Sequence, residues 1–118
     1  MPSVRRCMHG AIKIDLLIPA LLAVLKRQPD HGYSLMEKLS ELGLNISCCH
    51  PSILYRALRT MELQGLVSSN WDVQVTGPAR RVYSITQTGQ DFLYNWCSLA
   101  KENVKMIHKI INITEGGE

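Results

Sequence analysis

The chain has 118 residues, of which 46% are apolar and 19% charged, and its net charge is only +3. That length admits one domain with a thin core, burying roughly 65% of its unfolded surface, and the balance of apolar to charged residues excludes a disordered chain. So small a charge does not by itself imply a nucleic-acid partner; what counts is where the cations fall.

The first fourteen residues carry three cations and a histidine, with no small-residue cleavage site of the secretory kind. The longest apolar stretch, Ile12 to Leu25, is broken by Lys13, Asp15 and Pro19 and is too short to span a bilayer. A cytoplasmic protein is therefore expected, with Cys7, Cys48, Cys49 and Cys97 as reduced thiols.

Residues 1–10, with Arg5 and Arg6, read as a short arm. Leu16 to Arg27 is apolar nearly all round and predicts a buried helix, opened by Asp15 as a cap or by Pro19. Gln28-Pro29-Asp30 ends it. A second helix is expected from about His31 to Leu42, with Asp30 as its cap. Its inner face is Leu35, Leu39 and Leu42, with Met36 beside them, and Gly43 is its left-handed cap. After a short connection over Asn45 to Cys49, Pro51 opens a third helix. Leu54, Ala57, Leu58 and Met61 form its buried stripe and Gly65 closes it.

The period then changes. Val67, Ser69 and Trp71 alternate with polar residues, as do Tyr83 and Ile85 after a Gly77-Pro78 loop, so the segment predicts a β-hairpin. Thr86 is a good cap for a fourth helix running to about Asn112. Its apolar positions begin at Phe92 and Leu93, which are expected to pack on the body of the protein, and end at Ile110 and Ile111. A frayed tail follows.

Three helices, a hairpin and a long helix make a mainly α fold: a winged helix-turn-helix with a C-terminal dimerisation helix. The division is residues 1–88 for the DNA-binding domain, 89–112 for the dimerisation helix and 113–118 for the tail. In such a fold the third helix enters the major groove. Ser52, Arg56 and Arg59 share its outer face, with Tyr55, Thr60 and Leu63 nearby, and Glu62 is its one acid. Arginine can fork onto guanine and hydroxyls can hold phosphate. Arg80 and Arg81, at the hairpin tip, are placed to neutralise phosphate.

The sequence resembles the PadR family of bacterial transcriptional regulators over about residues 16–95. The resemblance is carried by His31-Gly32-Tyr33, by Pro51 through Leu58, by Leu63 through Val67, by Arg80-Arg81-Val82-Tyr83, and by Ile85-Thr86 with Gly89. It implies a homodimer paired through its C-terminal helices, repression at a palindromic operator and release by an effector. Matched by position, Ser52, Tyr55 and Arg59 are DNA-facing, Arg80 and Arg81 are wing cations, and Tyr33 and His31 position the second helix with phosphate contact from its N-terminus. Some smaller members hold flat ligands with aromatic residues of the C-terminal helix. Trp96 is the candidate effector-binding residue here, although it falls about one turn early.

Trp96, Ala100, Val104, Ile107 and Ile111 follow the three-and-four spacing of a helix seam, and the helix outruns what so small a body can cover. A second copy of the chain is the expected partner. Cys48-Cys49-His50 and Cys7 with His9 lack the paired spacing of a zinc site, so neither metal nor cofactor is expected. Cys49, beside a helix start, is the candidate for redox sensitivity. There is no glycine-rich phosphate loop, nucleophile elbow or HExxH, so no enzyme is expected. The alternative is a winged-helix adaptor between proteins that does not bind DNA.

Overall fold

The computed structural model describes residues 16–44, 52–72 and 77–116. The N-terminal arm, the Asp15 cap, the Cys7/His9 and Cys48-Cys49-His50 clusters, the Asn45–Cys49 connection and Pro51 lie outside the described residues. So do 73–76 of the hairpin loop.

Among the described residues, four helices and three strands follow in the order α1 (Leu17–Arg27), β1 (Asp30–His31), α2 (Gly32–Glu41), α3 (Ser52–Leu63), β2 (Val67–Asp72), β3 (Arg80–Ile85) and α4 (Gln87–Gly116). Leu16 stands at the N-cap of α1 and its side chain caps nothing, and Pro19 is buried in the first turn, where a missing N–H costs nothing. Leu17, Leu21, Leu22 and Leu25 fill the centre of the core with Leu35 and Leu39 of α2 and Leu54, Leu58 and Met61 of α3.

Both predicted glycine caps are present. Gly43 and Gly65 have φ of +92° and +77°, and the next residue's N–H closes a wide turn in each case: Leu44 to Leu39 O and Leu66 to Met61 O, both 2.9 Å. This geometry corrects one expectation. α2 ends at Glu41, so Leu42 turns outward and is 64% exposed, while Leu44 beyond the cap enters the core.

The hairpin pairs antiparallel from Val67↔Ile85 to Asp72↔Arg80. A third strand, β1, adds to its free side through Asp30↔Tyr83 and His31↔Val82, giving the order β1-β3-β2. Because side chains alternate across a strand, Ser69, Trp71, Arg81 and Tyr83 share one face of the hairpin, and Arg80 and Val82 the other.

α4 is locked to the end of α3 at its first turn. Thr86 Oγ1 accepts the Gly89 N–H at 3.0 Å, as expected of a cap, and donates to Gly65 O at 2.6 Å, while the Thr86 N–H donates to Leu66 O at 3.1 Å. Leu93 is buried against the core and α1 packs on this part of α4. Phe92, expected to pack beside it, is 42% exposed instead. The helix continues to Gly116, one turn past the Asn112 end that periodicity predicts. At ~1.5 Å per residue its thirty residues span about 45 Å. Everything from Lys101 to Gly116 is exposed.

Candidate nucleic-acid interface

α3 has two unlike faces. Leu54, Leu58 and Met61 are wholly buried, whereas Ser52, Tyr55, Arg56, Arg59, Thr60 and Leu63 are exposed. Ser52, Arg56 and Arg59 project from the middle of the outer face, with Tyr55 and Thr60 at its edges. The twelve residues make a rod about 18 Å long. A helix of that size fits a major groove about 12 Å wide.

Tyr55 has a second role that its spacing does not reveal. Its ring lies against the backbone of Gly32 at the start of α2, so close that a Cβ on Gly32 would come within 2.6 Å of Tyr55 Cε1. The His31-Gly32-Tyr33 segment thus joins α2 to α3 by letting an aromatic ring rest on bare backbone. Tyr33 next to it is 67% exposed, on the first turn of α2.

His31, not Asp30, is the N-cap of α2; its ring Nδ1 accepts the Ser34 N–H at 3.4 Å. Asp30 sits one residue earlier and braces the same turn. It accepts the His31 N–H at 2.9 Å, the Ser34 hydroxyl at 2.7 Å and the Lys38 ammonium at 2.6 Å. Burial pushes the Asp30 carboxyl up, but these bonds from Lys38, Ser34 and the His31 backbone outweigh it and hold the group below its ordinary value.

The two hairpin arginines lie on opposite faces of β3 and have different partners. Both lie at the outer end of β3 and are exposed. Arg80 Nη1 is 3.2 Å from His31 Nε2, on the β1 side. Arg81 lies on the other face: its Nη1 donates to Ser69 Oγ at 3.2 Å, is 3.7 Å from Glu62 Oε1 of α3, and its guanidinium stands 4.8 Å over the Trp71 ring. Ser69 Oγ in turn donates to Glu62 Oε2 at 2.6 Å. The lone acid of α3 is therefore turned toward the wing and engaged there. Deeper on the same face, burial pushes the Tyr83 phenol above its ordinary value against the influence of Arg81, with Glu62 and Tyr55 adding to the rise.

Sequence reasoning missed Gly32 as the seat of Tyr55, and it missed Glu62, Ser69 and Trp71 as partners of Arg81. The hairpin register, had it been fixed, would have placed Trp71 opposite Arg81.

On α4, Trp96 and Ala100 are half-buried, and Val104, Ile107 and Ile111 are 49%, 52% and 43% exposed. Leu99, Met106, Ile110 and Ile113 beside them are exposed as well. A groove of about 490 Å³ opens between α1 and α2, lined by Ala23, Val24, Arg27, Lys38 and Leu42 among others; Trp96 is not in its lining. Among the described residues no group of three or more histidine, cysteine or acidic side chains could hold a metal, and Cys97 is exposed with a free thiol. Among them, too, no helix is long and apolar enough to cross a membrane.

A three-helix core, a hairpin closed by a third short strand, and an arginine-bearing helix face beside that hairpin define a winged helix-turn-helix protein. The chain belongs to the PadR-like family of transcriptional regulators, whose family model matches residues 21–95; its members are regulators and not enzymes. The chain is similar to the crystal structure of a PadR-family transcriptional regulator from Eggerthella lenta, with 25% identity and a TM-score of 0.80 over 93% of this chain and 94% of that one. Two further structures share the fold. A PadR-like transcriptional regulator from Bacillus cereus is 24% identical, with a TM-score of 0.66 over 88% of this chain and 95% of that one. PadR of Bacillus subtilis, in complex with operator DNA, is 22% identical, with a TM-score of 0.61 over 70% of this chain and 46% of that one. No curated protein matches the chain in sequence.

Proposed function

We propose that this regulator is a cytoplasmic repressor that binds an inverted-repeat operator as a homodimer and is released by an effector. The observation that carries the DNA reading is the outer face of α3. Arg56 and Arg59 are exposed at its centre with Ser52, and Glu62 is turned aside to Ser69 and Arg81. α3 would sit in the major groove with Arg59 and Arg56 on base edges and Ser52, Tyr55 and Thr60 on their flanks. Arg80 and Tyr33 would meet the backbone on either side. An adaptor between proteins would have little use for such a face, and a related fold has been seen on operator DNA.

The dimer reading rests on α4. A row of isoleucine, valine and methionine side chains exposed over its distal half is more apolar surface than a soluble monomer ordinarily presents. Pairing Val104, Ile107 and Ile111 with their counterparts, and Trp96 and Ala100 nearer the body, would cover much of it. A two-fold protein then reads two half-sites about one turn of DNA apart. Trp96, at the junction of body and seam, is where an effector would be sensed.

The test is a mobility shift on the promoter of the chain's own gene, where an inverted repeat is expected. Saturable binding with a two-protomer stoichiometry supports the proposal. Equal affinity for shuffled sequence contradicts it.

A further inference from the structure

The wing of a winged helix meets DNA at a place set by its angle to the recognition helix. β1 pairs only with Tyr83 and Val82, so the outer end of the hairpin, at Trp71, Asp72, Arg80 and Arg81, is a two-stranded ribbon, and its angle to α3 depends on what it touches there. Here α3 and the hairpin are bridged by one cluster. Glu62 on the last turn of α3 accepts from Ser69 of β2 at 2.6 Å and faces Arg81 of β3 at 3.7 Å. Arg81 also donates to Ser69 at 3.2 Å and is stacked 4.8 Å over Trp71. Three elements meet on one guanidinium, whose planar fork can serve a carboxylate, a hydroxyl and a ring at once.

We propose that Arg81 is a positioning residue that fixes the wing to α3 through Glu62, Ser69 and Trp71, and that Arg80 alone of the two supplies the wing's phosphate contact. The inference rests on the DNA-binding reading for its consequence, but not for its geometry. It splits the cation pair that the sequence suggests. Alternation sends Arg81 to the face of Tyr83, toward α3, and Arg80 to the opposite face. It also gives Glu62 a purpose: a carboxylate on a DNA-reading helix repels phosphate unless it is held by a cation of the same protein.

The proposal makes an unusual demand. Removing the acid Glu62 should harm DNA binding in the same way as removing the base Arg81, whereas simple charge repulsion predicts the opposite sign for the two. Arg81→Lys, which keeps the charge but loses the planar fork, should fall between wild type and Arg81→Gln.

Two measurements on the full chain test it. In the absence of DNA, hydrogen exchange of the hairpin amides around residues 69–72 and 80–82 is compared in wild type, Arg81→Gln, Glu62→Gln and the double variant. Each single change is expected to raise exchange about 3- to 10-fold, as for loss of a partly exposed ion pair with its stacked ring. The double variant should go no further than the worse single one. Equal exchange in all four proteins overturns the proposal. With an inverted-repeat operator, affinity is followed across salt. Arg80→Gln removes one phosphate contact from each protomer of the dimer and should reduce the slope of log K against log salt by about 1.8. Arg81→Gln and Glu62→Gln should both weaken binding about 3- to 10-fold and leave the slope unchanged. If Glu62→Gln tightens binding and Arg81→Gln flattens the slope as Arg80→Gln does, Arg81 is a phosphate ligand and the proposal fails. A wild-type protein that ignores DNA while its variants exchange as expected refutes the DNA-binding reading and leaves the wing brace standing.

Discussion

The ring of Tyr55 rests on the α-carbon of Gly32, at a distance that leaves no room for a Cβ. This contact adds to the leucine packing in the core where α2 meets α3, the two helices of the helix-turn-helix. The same ring sits at the edge of the outward face of α3 and is 45% exposed.

Gly32→Ala should destabilise the protein by about 1–3 kcal/mol, the usual cost of overpacking a tight site. The loss should shrink or vanish in a Tyr55→Ala background, where the added methyl meets nothing. Urea unfolding of the four proteins checks this as a double-mutant cycle. Equal losses in both backgrounds would show that the two residues do not touch.

Gly89 is a harder case. A Cβ there would run into the backbone carbonyl of Leu66 and the side chain of Ile85. Trimming Ile85 cannot relieve a clash with backbone, so Gly89→Ala should be severe with or without Ile85→Ala. The nearby Thr86→Ala removes only the cap and its bond to Gly65, and should cost about 1 kcal/mol. Thermal unfolding ranks the variants.

Acid stability should carry the mark of Asp30. Its carboxyl is held below its ordinary value of 3.8. The folded state thus favours the ionised form, which stabilises the protein above that value and is lost as pH falls through the lower folded one. Stability from this group should be flat near neutrality and decline below about pH 4. Asp30→Asn should be less stable at pH 7 by about 1–3 kcal/mol and should show a shallower decline in acid. The same acid slope in both proteins would mean that the Lys38, Ser34 and His31 bonds do not hold in solution.

The distal half of α4 makes a separate prediction. Ile107→Lys with Ile111→Lys replaces two apolar side chains that the body does not cover. Sedimentation should find a dimer for the wild type and a monomer for the variant. The fold of residues 16–95 should survive, because the core lies elsewhere. A variant that remains a dimer would move the interface off this stripe.

Most of the fold was legible in the sequence, for identifiable reasons. The apolar run of α1, the glycine caps at Gly43 and Gly65, and the alternation about Tyr83 are local signals, and each answers to a local structure. β1 was not legible because two residues cannot show a period. The end of α4 was misplaced because the glycines at 116 and 117 and the glutamates beside them read as a frayed tail. The outer face of α3 followed from helical spacing alone. The wing did not: where Arg81 points depends on a hairpin register set by the turn, and on Glu62 arriving from another element.

If α3 reads DNA with its exposed arginines, Arg59→Ala should change what it reads. Binding of wild type and variant is measured on the operator and on a set of half-sites with each base pair changed in turn. The variant should lose about 1–3 kcal/mol of discrimination at one guanine position and keep its preferences elsewhere. A variant with the wild-type profile at every position, or a wild type that does not distinguish operator from random sequence, would contradict it.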